Sequence, residues 1–350
     1  MGRRVCTIAA IAVFCLAAQE PKGPAPYMEE EVRYSSTHTP GVELSGTFTK
    51  PRTDAPVPAV LLLSGAGPQD RDETTAGHKP FLVLADYLTR RNVAVLRTDK
   101  RGVNQSTGDY KTATTADFAS DAQTGLEYLA SRKDVDHKRI GLIGHGEGAI
   151  EAAMVAATAP QLVRFAVLLN GTAYTGEKVL LEQTSRAEIA SGFPEDEVDA
   201  DLRIGAGVYR MVSNGRSQFE MEQALNKVPE EYRPFAEPWK RRLPQLQSPW
   251  LRFFLSYDPA AALEKMKCPV LALFGEKDMT IDPDLNASQM KSIFSHAHNH
   301  EAKVKILPGL NYLLQKADTG LSREYGTISE TMSPVALETI SNWVTKQTER

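Results

Sequence analysis

The sequence predicts an α/β fold: a mostly parallel central sheet with helices on both faces and a helical insertion. Three observations predict it. Short, solid apolar runs recur along the chain, first at Val60-Leu61-Leu62-Leu63, as suits strands buried on both faces. Stretches with helical periodicity alternate with these runs, the rhythm of strands joined by crossover helices. Between 173 and 255 that rhythm stops, and the chain there is charged, rich in helix formers and studded with Pro194, Pro229, Pro234, Pro238, Pro244 and Pro249.

The chain has 350 residues, enough for one large α/β domain with an insertion or for two ordinary domains. Hydrophobic residues make up 42% and charged residues 24%, the mix of a soluble globular protein, which excludes disordered, collagen-like and multi-span membrane classes. With 40 basic against 44 acidic residues and a net charge of −4, there is no electrostatic case for a nucleic-acid partner.

The elements follow in order. Arg3 and Arg4 precede an uncharged apolar run over 5–18, and Gln19, Glu20 and Pro21 follow it. This reads as a signal peptide over 1–18, cut after Ala18. The run is too short for a spanning helix, which needs about 20 apolar residues. The expectation is a secreted or periplasmic protein with no membrane span after cleavage. Cleavage also removes Cys6 and Cys15 and leaves Cys268 alone, so no intramolecular disulfide can form. Residues 19–27, with Pro21, Pro24 and Pro26, read as an extended tether. Residues 32–49 hold short strand-like runs broken by Pro40-Gly41 and Gly46.

Beyond them the spacing predicts a helix over 80–91, a strand over 93–97, a helix over 115–132 and a strand over 140–143. A helix over 147–158 and a strand over 165–169 follow. Phe118, Ala122, Leu126 and Leu129 step by four, four and three along one helical face. After the insertion the pattern resumes with a strand over 270–274, a helix over 284–295, a strand over 304–307 and a helix over 334–346. The expected partition is a core of 19–172 and 256–350, interrupted by a cap of 173–255.

The chemistry concentrates at Gly144-His145-Gly146-Glu147-Gly148, which follows a strand and opens a helix. That is the context of a nucleophile elbow, Gly-x-Ser-x-Gly, where a tight turn lifts the central side chain clear of the sheet. Here the central residue is Gly146. Four further stretches accompany it: Ser64-Gly65-Ala66-Gly67-Pro68-Gln69-Asp70-Arg71-Asp72, Arg97-Thr98-Asp99-Lys100-Arg101-Gly102, Gly275-Glu276-Lys277-Asp278 and Leu307-Pro308-Gly309-Leu310-Asn311-Tyr312-Leu313. With Ser248-Pro249-Trp250-Leu251-Arg252-Phe253-Phe254 they make the chain, from about residue 32 onward, resemble the α/β-hydrolase superfamily. Within it the chain looks most like secreted esterases related to serine aminopeptidases and dienelactone hydrolases.

The resemblance implies an α/β-hydrolase fold with a helical cap, and esterase or peptidase ancestry acting on acyl substrates. It implies an oxyanion loop around Ala66, whose backbone N–H would act with that of Glu147, an acid at Asp278 and a histidine loop around 312. The family's serine falls on Gly146 and its histidine on Tyr312; only Asp278 matches. Gly146 cannot form an acyl-enzyme, and a phenol with an ordinary pKa of about 10 is a poor base at neutral pH. In a serine hydrolase, losing nucleophile or base costs roughly a millionfold. The expectation is therefore a degenerate hydrolase that keeps its pocket and oxyanion hole and binds a small acyl, carboxylate or peptide-like ligand. The alternative is an enzyme with a relocated nucleophile or non-serine chemistry. Glycine at 146 would also relieve the strain of an elbow conformation. Tyr312 is expected to hydrogen-bond to Asp278.

His145 and Glu147, beside the elbow, are expected to point into the packing, with Glu147 acting on water as the alternative. Asp70, Arg71, Asp72, Asp99 and Arg101 are expected to form structural ion pairs. Trp239, Trp250, Phe253 and Phe254 are read as packing between insertion and core, some of them lining a pocket. His296, His298 and His300 would share a face if extended, but a solvated loop is the simpler reading. No cofactor and no metal is expected.

Overall fold

The computed structural model describes residues 20–21 and 23–349; the predicted signal peptide lies outside the described residues. Among the described residues eight strands form one sheet in the order β1-β2-β4-β3-β5-β6-β7-β8. They are β1 (Met28–Ser35), β2 (Glu43–Lys50), β3 (Val57–Leu63), β4 (Ala94–Thr98), β5 (Val135–His145), β6 (Phe165–Leu169), β7 (Val270–Gly275) and β8 (Ala302–Leu307). The β1–β2 and β2–β4 pairs are antiparallel, and every later pair is parallel. β5 begins earlier than its apolar run, because its first half is Val135 followed by a polar stretch and pairs with β3 only through Val57, across an irregular register.

The crossover helices cover both faces. α1 (Pro80–Thr89) lies between β3 and β4, α2 (Thr115–Ser131) between β4 and β5, and α3 (Glu147–Thr158) between β5 and β6. In β3, Ala59, Leu61 and Leu63 pack into one apolar layer while Val60 and Leu62 enter the other, the two-residue alternation of a strand. The first layer takes the predicted α2 stripe of Ala122, Leu126 and Leu129 together with the alanines of α3.

Between β6 and β7 run α4 (Gly176–Ala190), α5 (Glu195–Ser213), α6 (Gln218–Leu225), α7 (Arg233–Arg242), α8 (Pro249–Ser256) and the single-turn α9 (Ala260–Leu263). Most prolines there mark helix starts: Pro194 is an N-cap, while Pro234 and Pro249 sit in first turns, where a missing N–H costs nothing. These helices carry their own apolar cluster around the buried Trp239, whose Nε1 donates to Asp201 at 2.9 Å. The fold closes with α10 (Pro283–His296) before β8 and α11 (Pro334–Thr348) after it; α11 packs with α1 in the second layer. Among the described residues no helix is long and apolar enough to cross a membrane.

The sheet order places the site. From β3 the chain steps one way to β4, then returns past β3 to add β5 and its successors on the other side. Ligands of open α/β sheets bind where the strand order reverses, at the carboxyl ends of the strands. Here that crevice lies between the loop after β3 and the turn after β5, with Leu63 and Gly144 paired in register.

Candidate functional site

The turn after β5 is built from close approaches. A Cβ on Gly144 would strike the Gly148 carbonyl, and a Cβ on Gly148 would strike the carbonyls of Leu63 and Ser64. Only glycine fits at either position. Between them Gly146 has φ +55° and ψ −113°, a conformation that strains any residue with a Cβ. Its N–H donates to the Leu169 carbonyl at 2.9 Å, tying the turn to β6. α3 starts at Glu147, and of its first-turn N–H groups that of Ala149 donates to the Gly146 carbonyl at 3.2 Å. The N–H groups of Ala66 and Glu147 have no acceptor among the described residues.

Tyr312 occupies the space that Gly146 vacates. A Cβ on Gly146 would overlap the Tyr312 hydroxyl, and the same hydroxyl lies 3.3 Å from where a Gly65 Cβ would be. The Tyr312 carbonyl is held by His145 Nε2 at 2.9 Å and Asn170 Nδ2 at 2.6 Å, and its ring packs on His145 with centroids 4.3 Å apart. Burial, then the charges of Glu73 and Asp278, push the phenol pKa well above its ordinary value, so the hydroxyl keeps its proton.

The expected hydrogen bond between Tyr312 and Asp278 is absent. A phenol is longer than an imidazole, and it carries its hydroxyl past Asp278 to the elbow. Asp278 is fully buried. Its Oδ1 accepts from the N–H groups of Thr280 at 2.7 Å and Ile281 at 2.9 Å, while its Oδ2 has no hydrogen-bond partner among the described residues. Burial pushes its pKa up to about 7 against those two bonds.

Both neighbours of Gly146 are buried and fully engaged. The Glu147 carboxylate accepts from Lys100 Nζ at 3.0 Å, Thr115 Oγ1 at 2.7 Å and Trp250 Nε1 at 2.5 Å, which leaves no free oxygen to activate water. Lys100 also donates to the Gly65 carbonyl at 2.9 Å and pairs with Glu151 at 3.4 Å. His145 has Glu73 Oε1 at 2.8 Å on Nδ1 and the Tyr312 carbonyl on Nε2. Burial lowers its pKa, but Glu73 outweighs burial and the net shift is upward. With a protein acceptor facing each nitrogen, the ring turns no free lone pair to the cavity.

Ion pairs tie down the flanking loops. Arg71 joins Asp99 at 2.8 Å and Glu31 at 2.5 Å, Arg97 joins Asp72, and Arg101 joins Asp121 at 2.6 Å. His296, His298 and His300 are exposed on a helix end and turn rather than an extended segment. No group of three potential metal ligands forms among the described residues.

These parts surround a cavity of about 340 Å³. Gly65, Ala66, Gly146 and Tyr312 form its floor, and Ile150, Val179, Leu180 and Ile281 its apolar walls. Trp250 and Phe254, stacked with centroids 5.1 Å apart on α8, close one side. Trp239 and Phe253 are not among the lining residues. Sequence reasoning missed Glu73 and Asn170. Glu73 follows Asp70, Arg71 and Asp72, which are read as structural, and a single Asn after a strand carries no pattern.

A model of the FrsA-like esterase family matches residues 10–190. The chain is 25% identical over 271 residues to esterase EstD of Thermotoga maritima, a match that takes in 77% of this chain and 58% of EstD's own length. Among solved structures it is similar to the Pyrococcus furiosus esterase Pf2001, with a TM-score of 0.53, 15% identity and coverage of 95% of this chain and 97% of that one. It is likewise similar to Est1E of Butyrivibrio proteoclasticus with ferulic acid bound, with a TM-score of 0.53, 13% identity and coverage of 91% and 100%. The structural matches speak to the fold, the sheet that sets an elbow at the reversal of strand order; the family model runs through that elbow and over more than half the sequence, and the chain belongs to the FrsA-like esterases.

Proposed function

We propose that this protein is a non-hydrolytic member of its family, exported from the cytoplasm, whose cleft binds a small acyl ligand by its carbonyl oxygen. The N–H groups of Ala66 and Glu147 act as an oxyanion hole at the start of α3, where the helix dipole favours negative charge. The Tyr312 hydroxyl, held protonated, is a third donor to the same oxygen. Asp278 stands at the acid position with no histidine to orient. The inserted helices act as the cap, with Trp250 and Phe254 against the acyl chain.

One observation carries this reading: the Tyr312 hydroxyl stands where a nucleophilic side chain on residue 146 would project. The two departures from the family are therefore sterically complementary. The lining supports it further, since among the described residues no serine or cysteine faces the cavity and its one histidine is bonded through both nitrogens.

The test compares the wild type with Gly146→Ser and with Gly146→Ser/Tyr312→His, using p-nitrophenyl acetate and a fluorophosphonate probe. Wild type is expected to stay unlabelled and to turn over ester no faster than a denatured control. The single variant gains little, because its serine collides with Tyr312 and lacks a base. The double variant, with histidine beside the free Asp278 oxygen, is expected to gain roughly a hundredfold or more, a fraction of the millionfold that such a pair supplies. One-for-one labelling of a wild-type serine would show a relocated nucleophile and end this reading.

A further inference from the structure

The cleft contains an acceptor that the acyl-binding reading leaves without a task. Glu73 lies in the loop after β3 with φ +54°, a left-handed conformation that costs a non-glycine residue on the order of 1 kcal/mol or more. Its side chain is 4% exposed. Oε1 accepts both the Gly65 N–H at 2.6 Å and His145 Nδ1 at 2.8 Å. Oε2 is buried and has no hydrogen-bond partner among the described residues. Strained backbone and an unbonded buried carboxylate oxygen are both costly, and they coincide on a residue that lines the cavity.

Glu73 also stands close to the donor group. From the point where a Gly65 Cβ would be, Glu73 Oε1 is 3.1 Å away and the Tyr312 hydroxyl 3.3 Å, so the two are at most about 6.4 Å apart. Both groups therefore flank Gly65, and a small planar group seated there would offer an oxygen to Tyr312 and an N–H to the Glu73 carboxylate.

Charge narrows the choice again. Among the described residues the titratable side chains on the cavity wall include Glu73, His145 and Glu147, and no lysine or arginine lines it. His145 is already bonded to Glu73, and Lys100, outside the lining, is held by Glu147 and lies 3.4 Å from Glu151. A carboxylate ligand would lose its hydration, meet two acids and find no counter-ion. An ester offers the carbonyl but no donor. A neutral amide offers both.

We infer that the ligand is an amide, with its carbonyl at Ala66, Glu147 and Tyr312 and its N–H on Glu73; this rests on the acyl-binding reading and names the ligand class for the same cleft.

The test is calorimetric titration of the full chain with three matched probes: 3-phenylpropanamide, methyl 3-phenylpropanoate and 3-phenylpropanoate, at a pH where the acid is ionised. Amide against ester isolates the N–H, and ester against acid isolates the charge. The amide is expected to bind at least about tenfold tighter than the ester, as one hydrogen bond to a charged acceptor implies. The acid is expected to bind more weakly than both. Glu73→Gln should erase the gap between amide and ester. If that variant does not fold, the wild-type ranking still decides the matter. An ester binding as well as the amide, an acid binding best, or no binding of any probe at about 10 mM overturns the inference. Chromatography of the same mixtures tests the underlying reading separately: release of methanol or ammonia means turnover and sinks the non-hydrolytic proposal, while the ranking of affinities still stands on its own.

Discussion

Asp278 is buried with one carboxyl oxygen bonded to two backbone N–H groups and the other bonded to nothing. Its folded pKa of about 7 lies above the ordinary value near 3.9. The neutral acid is thus favoured by the fold. Its stabilising contribution is full below pH ~4 and is lost as the pH rises through about 7. Asp278→Asn keeps an acceptor for Thr280 and Ile281 and cannot ionise. Relative to wild type, the variant is expected to gain stability across that window and then level off, by a few kcal/mol at most. Urea unfolding at pH 4.5, 6 and 8 checks it; a difference that does not change with pH would mean that Asp278 stays ionised throughout. Gly146 is the matching case on the other side of the cleft. Adding a Cβ there brings both φ strain and a collision with Tyr312, so Gly146→Ser alone is expected to destabilise by roughly 1–3 kcal/mol in thermal melts.

At the level of elements, Glu147 joins four parts of the molecule. Its carboxylate takes Trp250 from α8, Thr115 from α2 and Lys100 from the loop after β4, and Lys100 in turn holds the Gly65 carbonyl in the loop after β3. The turn after β5 is thereby coupled to the inserted helices. Trp250→Phe keeps the stacking on Phe254 but removes one donor to a buried carboxylate, and is expected to cost about 2 kcal/mol in denaturant unfolding. A cost near zero would mean that Lys100 and Thr115 satisfy Glu147 unaided. This coupling was not legible in the sequence. Glu147, Lys100, Gly65 and Trp250 each sit in a motif, but a hydrogen bond between residues 147 and 250 leaves no local signal. The elbow itself was legible, because strand, glycine spacing and helix start are all local.

At the scale of the whole molecule there are separate apolar cores: two layers against the sheet and one inside the insertion. A segment with its own small core can open without the rest. Trp239→Ala removes the largest side chain of the inserted core and leaves Asp201 without its donor. It is expected to cost about 3–5 kcal/mol locally. Hydrogen exchange should quicken in α5, α6 and α7 while β3, β5 and β6 stay protected. Equal loss of protection in sheet and insertion would mean that the two unfold as one unit.

The sequence by itself determined most of the sheet strands, their alternation with helices, the helical stretch between β6 and β7, and the strand–turn–helix with glycine at its centre. Those are local signals: apolar runs, period and spacing act within a few residues of one another. The tertiary structure alone decided that the Tyr312 hydroxyl fills the place opened by Gly146 instead of reaching Asp278, that His145 is held between Glu73 and a carbonyl, and that Glu73 faces the cavity with one oxygen unbonded. Such facts depend on where side chains from distant strands end, to within an ångström, and strand order and packing set that, not neighbours in sequence.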